Sequence, residues 1–140
     1  MQLSAQTEPV STSFNQFILP EGDIDPKIKD LIHMSVQKRG GKRVLTNTKS
    51  LQVLPTGSSE EVLKNFLDWL ESVGGGKQVV LVAHNAHAFD MRRLLFNLIE
   101  SSLYERAASL IKGFVDTLPM FRDMFQIKPN EKGKLYIDKL

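Results

Sequence analysis

Asp90 stands where an apolar run gives way to an amphipathic one, in the stretch LVAHNAHAFDMRRL at residues 81–94. A carboxylate there suits a hard divalent cation such as Mg²⁺, which prefers oxygen ligands and usually takes one or two carboxylates plus substrate phosphates. Alone, Asp90 supplies one such ligand and cannot make a two-ion site. The plainer reading is an acidic residue in the first turn of a helix, where the dipole favours negative charge. His84 and His87 form an H-x-x-H pair, but the chain has no cysteine to complete a tetrahedral zinc set. Each is read instead as a histidine at a strand end that hydrogen-bonds locally. Asn85 is placed to bridge backbone groups between strand and loop, or to hold the loop that positions Asp90. Asp116, in FVDTLPMF, ends another strand beside Pro119, where capping the following turn competes with chemistry.

Basic chemistry gathers elsewhere. Lys38, Arg39, Lys42 and Arg43 flank Gly40-Gly41 and could touch phosphate, as could Arg92-Arg93. Solvated surface charge is the plain alternative for both clusters.

The elements that must position these groups follow from spacing. Leu3 to Thr7 and FNQFIL (14–19) read as two strands of an opening hairpin, the second stopped by Pro20-Glu21-Gly22. Asp25 caps, and Pro26 begins, a helical run IKDLIHMSV. Residues 38–58 are read as a flexible basic loop carrying two short β-like pieces. Ser58 or Ser59 then caps a helix with Glu60 and Glu61 in its first turn. Val62, Leu63, Phe66, Leu67, Trp69, Leu70 and Val73 give that helix a wide apolar face.

Gly74-Gly75-Gly76 ends the helix, and QVVLVA follows as a strand of the kind buried on both sheet faces. After Asp90, MRRLLFNLIESSLYERAASLI reads as one helix, with Leu94, Leu95, Leu98, Ile99 and Leu103 on its buried side. Gly113 breaks it, Phe114 to Leu118 forms a short strand, and Pro119 opens a last helical turn. Strands followed by alternating helices and strands predict an α/β sheet flanked by helices, with polar residues at strand ends.

Composition narrows the classes. A chain of 140 residues with 41% hydrophobic and 24% charged residues fits one domain with a real core. A formal net charge of +2 gives no global field for nucleic acid. The absence of cysteine excludes disulfides, thiolate metal sites and cysteine nucleophiles. No apolar run approaches the ~20 residues that span a bilayer, and MQLSAQTEPVST is unlike a signal peptide. A soluble, intracellular protein, nuclear or cytoplasmic, is expected. Gly74-Gly75-Gly76 lacks the spacing of a phosphate loop, and no serine lies in G-x-S-x-G context.

Three segments, in order, resemble the DEDDh 3′–5′ exonucleases, whose fold is ribonuclease H-like. LVAHNAHAFDMRRL is similar to their second motif, a strand ending in H-N with an aspartate following in an F-D pair. FVDTLPMFRDMF resembles their V-D-T-L segment, and FNQFILPEGDIDPK resembles the strand and I-D-P turn between the first two motifs. The nearest flavours are the exonuclease-like domain of promyelocytic leukaemia protein relatives and the three-prime repair exonucleases.

The resemblance implies metal-dependent removal of nucleotides from single-stranded DNA or RNA 3′ ends. Two Mg²⁺ or Mn²⁺ ions would be held by four acidic residues, with a histidine as general base. It makes Asp90 a metal carboxylate, with His84, Asn85, Phe89 and Asp116 shaping the site. Residues 1–140 are expected to be a single partial domain. The D-x-E-T motif of the first, central strand has no match near the start of the chain. The H-x-x-x-x-D motif of the last helix should follow the region that KGKLYIDKL resembles, where the chain ends.

An open centre would leave backbone groups unpaired at about 1–3 kcal/mol each. Leu3–Thr7 is therefore expected to pair directly with Val79–Ala83, unless a partner strand or a second copy completes the sheet. The functional expectation is an exonuclease-like domain inactive in this chain, with at most weak metal binding. The alternative is a non-catalytic module binding nucleic acid or protein on the same scaffold.

Overall fold

The computed structural model describes residues 2–125, and the backbone of residues 127–129 and 135–137. Strands β1 (Gln2–Gln6) and β2 (Ser13–Ile18) form the expected antiparallel hairpin, with Ala5 opposite Phe14. Helix α1 (Pro26–Ile32) starts as its sequence dictates: the Asp25 carboxylate accepts from the Lys27 N–H at 2.8 Å, and Pro26 sits at the first helical position. The helix is shorter than expected. His33 adopts a left-handed conformation (φ 54°) that ends it, and Met34 already belongs to a strand.

The stretch expected to be a flexible basic loop is largely paired. Strands β3 (Met34–Arg39) and β4 (Lys42–Asn47) make an antiparallel hairpin, and β5 (Val53–Leu54) pairs with β4. Gly40 and Gly41, at φ 57° and 77°, form a two-residue turn with both central residues left-handed, the geometry that matches strand twist. The glycines that suggested flexibility are turn residues. Strand β6 (Thr56–Gly57) runs parallel to β2.

Helix α2 (Ser59–Gly74) is capped by Ser58, whose Oγ accepts from the Glu61 N–H at 3.2 Å. Val62, Leu63, Phe66, Leu67 and Leu70 are buried, as the apolar spacing predicts. Phe66 meets Phe14 of β2 edge-on at 5.3 Å and stacks on Trp69 at 6.0 Å. Gly75 and Gly76, both at positive φ, turn the chain after the helix.

The chain divides into two compact units, Met1–Trp69 and Leu70–Leu140. In the second, β7 (Val79–Ala83) and β8 (Ile111–Asp116) pair in parallel, with Ala83 opposite Asp116. Between them lie α3 (Asp90–Glu100) and α4 (Tyr104–Leu110), after which come α5 (Thr117–Met124), β9 (Ile127–Pro129) and β10 (Leu135–Ile137). The side chains of KGKLYIDKL lie outside the described residues.

Four expectations are corrected in this unit. The run expected to be one helix is two, broken at Ser101-Ser102-Leu103, where Ser102 is left-handed (φ 55°). Leu94 and Leu98 are buried, but Ile99, still within α3, is exposed. Gly113 lies inside β8, and Thr117-Leu118 belong to the helix after it. The apolar run of β7 is not covered on both faces: Val80 and Val82 are exposed, alternating with half-buried neighbours. Leu3–Gln6 pair with β2 and Val79–Ala83 with β8, so the expected ladder between these two strands is not among those of the described residues.

The architecture is mixed α/β, as the element order predicts. Among the described residues no helix is long and apolar enough to cross a membrane.

Candidate functional site

Parallel pairing of β7 with β8 brings two polar strand ends side by side. From Ala83 the chain runs through His84–Phe89 into α3; from Asp116 it passes straight into α5. Asn85 takes a left-handed conformation (φ 58°), which short polar side chains tolerate. Its carbonyl accepts from the Ala88 N–H, while the carbonyl of buried Ala86 accepts from the Met91 N–H at 2.9 Å. Together these bonds fold the six-residue loop back onto the start of α3.

Asp116 anchors that loop. Its Oδ2 accepts from the His87 backbone N–H at 3.1 Å and lies 3.2 Å from the His87 ring Nδ1. Its Oδ1 accepts from the Leu118 N–H at 2.9 Å, capping α5. The carboxylate is 5% exposed, whereas the His87 side chain is 61% exposed. Burial by itself would raise the Asp116 pKa. The hydrogen bonds from Leu118, from the His87 backbone and ring, and from the Ala86 N–H outweigh it and hold the carboxyl at about 2. An ionised Asp116 only accepts, so the His87 ring nitrogen facing it, Nδ1, is the donor of this pair. His84 is oriented similarly, with its Nδ1 at 3.2 Å from Thr117 Oγ1.

Asp90 and Phe89 are exposed where the loop enters α3, and Phe89, at the cap position, makes no side-chain capping bond. The structure thus gathers His84, Asn85, Phe89, Asp90 and Asp116 around one loop. It does not give Asp90 acidic company. Among the described residues no group of three or more histidine, aspartate or glutamate side chains could hold a metal ion. Asp116 is spent on its four donors. A two-ion Mg²⁺ or Mn²⁺ site therefore does not fit the described residues.

The basic residues cluster at a hairpin tip. In the β3–β4 register Lys38 faces Arg43, and Arg39 faces Lys42, on the two rungs next to the Gly40-Gly41 turn. Like charges directly opposite destabilise a sheet pair, so the hairpin tip concentrates four cations against its own stability. Arg43 is the structural member: its guanidinium donates to the Glu21 and Gly22 carbonyls and lies 4.0 Å from the Asp23 carboxylate. Lys38, Arg39 and Lys42 are exposed.

One feature escapes sequence reasoning about acids and bases. The exposed His84 ring lies 6.1 Å from Phe121, which stacks on Phe125 at 5.9 Å with an interplanar angle of 12°. The four-residue spacing of the two phenylalanines signals one helix face, but nothing in the sequence brings His84 to it.

Comparison with known proteins supplies a family. The model of the Exuperantia RNAse H-like domain matches residues 1–136. The chain is similar to maternal protein exuperantia of Drosophila virilis, at 26% identity over 121 residues, covering 84% of this chain and 24% of that protein. The Drosophila melanogaster protein of the same name is 26% identical over 123 residues, with 84% and 23% covered. Maternal protein exuperantia-2 of Drosophila pseudoobscura pseudoobscura is 25% identical over 112 residues, with 77% and 24% covered. The chain spans about a quarter of the length of the curated relatives it matches.

Proposed function

This chain belongs to the Exuperantia RNAse H-like domain family, and on that footing we propose that it binds nucleic acid without cutting it. The scaffold is that of the DEDDh exonucleases by resemblance of its second motif. What supports binding is the β3–β4 hairpin tip, where four cations occupy two adjacent rungs. Strand alternation sets Lys38 and Arg43 on one face of the tip and Arg39 and Lys42 on the other, so either face offers a cation pair to a phosphate backbone, whose neutralisation releases counterions and supplies sequence-independent affinity. Three of the four side chains are exposed, and Arg43 fixes the base of the tip to the 21–23 turn.

What supports the absence of cutting is the surroundings of Asp90. Phosphodiester cleavage by two ions needs several carboxylates around one point, and the described residues offer no such group. We read Asp90 as a retained helix N-terminal acid and Asp116 as the anchor of its loop.

A labelled single-stranded oligonucleotide incubated with the chain and Mg²⁺ tests both halves. Retention of the full-length oligonucleotide, bound equally by wild type and Asp90→Ala, is expected. Cleavage by the wild type that Asp90→Ala abolishes would overturn the proposal.

A further inference from the structure

The geometry points to a base-stacking platform on the second unit: the row His84–Phe121–Phe125 receives the bases of a single-stranded nucleic acid. This inference rests on the nucleic-acid reading and names a ligand form and a second surface for it. Phe121 on α5 and Phe125, the residue at its C-cap, are four residues apart and remain 42% and 48% exposed. Their rings lie nearly parallel, and the exposed imidazole of His84, contributed by a different element, meets Phe121 at a tilt of 56°.

Three observations favour nucleobases over another occupant. First, the rings are ordered against one another, whereas an aliphatic partner would be served by any apolar side chains. Every base offers a π face, so a row of exposed rings is sequence-tolerant. Secondly, the row borders polar groups that are held in place. His84 is oriented through Nδ1 by Thr117, and His87 of the same loop by Asp116, which leaves the Nε2 of each exposed residue for base edges or phosphate oxygens. Thirdly, α5 buries none of its own residues, so the rings are not serving the core of the unit. Met120 and Met124 share the exposed side of α5 and widen the surface with polarizable sulfur. In a duplex the bases are already stacked on each other, so the platform selects single strands.

The test compares wild type with Phe121→Leu/Phe125→Leu, which keeps apolar bulk and removes both π systems. Binding is read by fluorescence anisotropy on a labelled single-stranded oligonucleotide and on an abasic strand of equal length. The expected result is a loss of about tenfold on the base-bearing strand, in the range for removing a base–aromatic stack, and little change on the abasic one. Phe121→Trp/Phe125→Trp should restore binding, which separates loss of stacking from loss of folding. Unchanged binding by the leucine variant, as expected if this face serves a protein partner, overturns the platform. So does an equal loss on both strands. If wild type binds neither strand, the underlying nucleic-acid reading falls too; salt-dependent binding that ignores both phenylalanines removes the platform alone.

Discussion

Asp116 holds His87 twice, accepting from its backbone N–H at 3.1 Å and facing its ring Nδ1 at 3.2 Å. The same carboxylate caps α5 through the Leu118 N–H. One buried group at the end of β8 thereby fixes the loop that carries His84, His87 and Asp90, and starts the helix that carries the exposed phenylalanines. A capping residue and a site organiser are the same side chain.

Acid should loosen this loop in a defined window. The Asp116 carboxyl is lowered from 3.8 to about 2 in the folded chain, so the unfolded chain binds the proton more readily. Its contribution is fully present above about 3.8 and is lost as pH falls through about 2. Asp116→Asn should be less stable than wild type at neutral pH. It should also lack the part of the acid-induced fall that wild type shows within that window. Thermal melts of both proteins across the window check this, and superimposable pH profiles would refute it.

Core packing in the first unit predicts a large effect at Phe66, which is 2% exposed between Phe14 and Trp69. Phe66→Ala should cost about 3–5 kcal/mol, combining lost transfer energy with a cavity. Urea unfolding followed by Trp69 fluorescence reads it directly. A loss below about 1 kcal/mol would mean that the site is not packed as described.

Thr46 predicts an effect of opposite sign. Its side chain is fully buried in β4, and Oγ1 has no hydrogen-bond partner among the described residues. A buried hydroxyl without a partner costs about 1–3 kcal/mol, and valine has nearly the same shape. Thr46→Val should leave the melting temperature unchanged or raise it. A clear drop would show that the hydroxyl is bonded.

Much of the scaffold was legible because local chemistry decided it. Asp25-Pro26, Ser58 with its two glutamates, and the apolar spacing of Val62 to Leu70 specify helix starts and a buried face without tertiary help. Where several structures suit the same residues, the sequence was silent. Gly40-Gly41 suits a loose loop or a left-handed turn, and cross-strand pairing chose the turn. Val80 and Val82 suit a covered strand, but coverage depends on neighbours that a strand does not encode.

The site divides in the same way. Asp116 as a cap was readable from Asp-Thr-Leu-Pro. Its grip on His87 was not, because the two meet only through the β7–β8 register, 29 residues apart in sequence. The row from His84 to Phe125 was hidden for the same reason.

The most direct test of nucleic-acid binding is the salt dependence of affinity for a single-stranded oligonucleotide. It is measured for wild type and for the variant Lys38→Ser/Arg39→Ser/Lys42→Ser, which spares Arg43 and its bonds to the 21–23 turn. Each phosphate contact contributes about −0.7 to the slope of log K against log salt for single strands. Wild type should show a steep slope, and the triple variant should be shallower by about 2. A flat wild-type response, or an equal slope in the variant, would contradict a phosphate-binding hairpin.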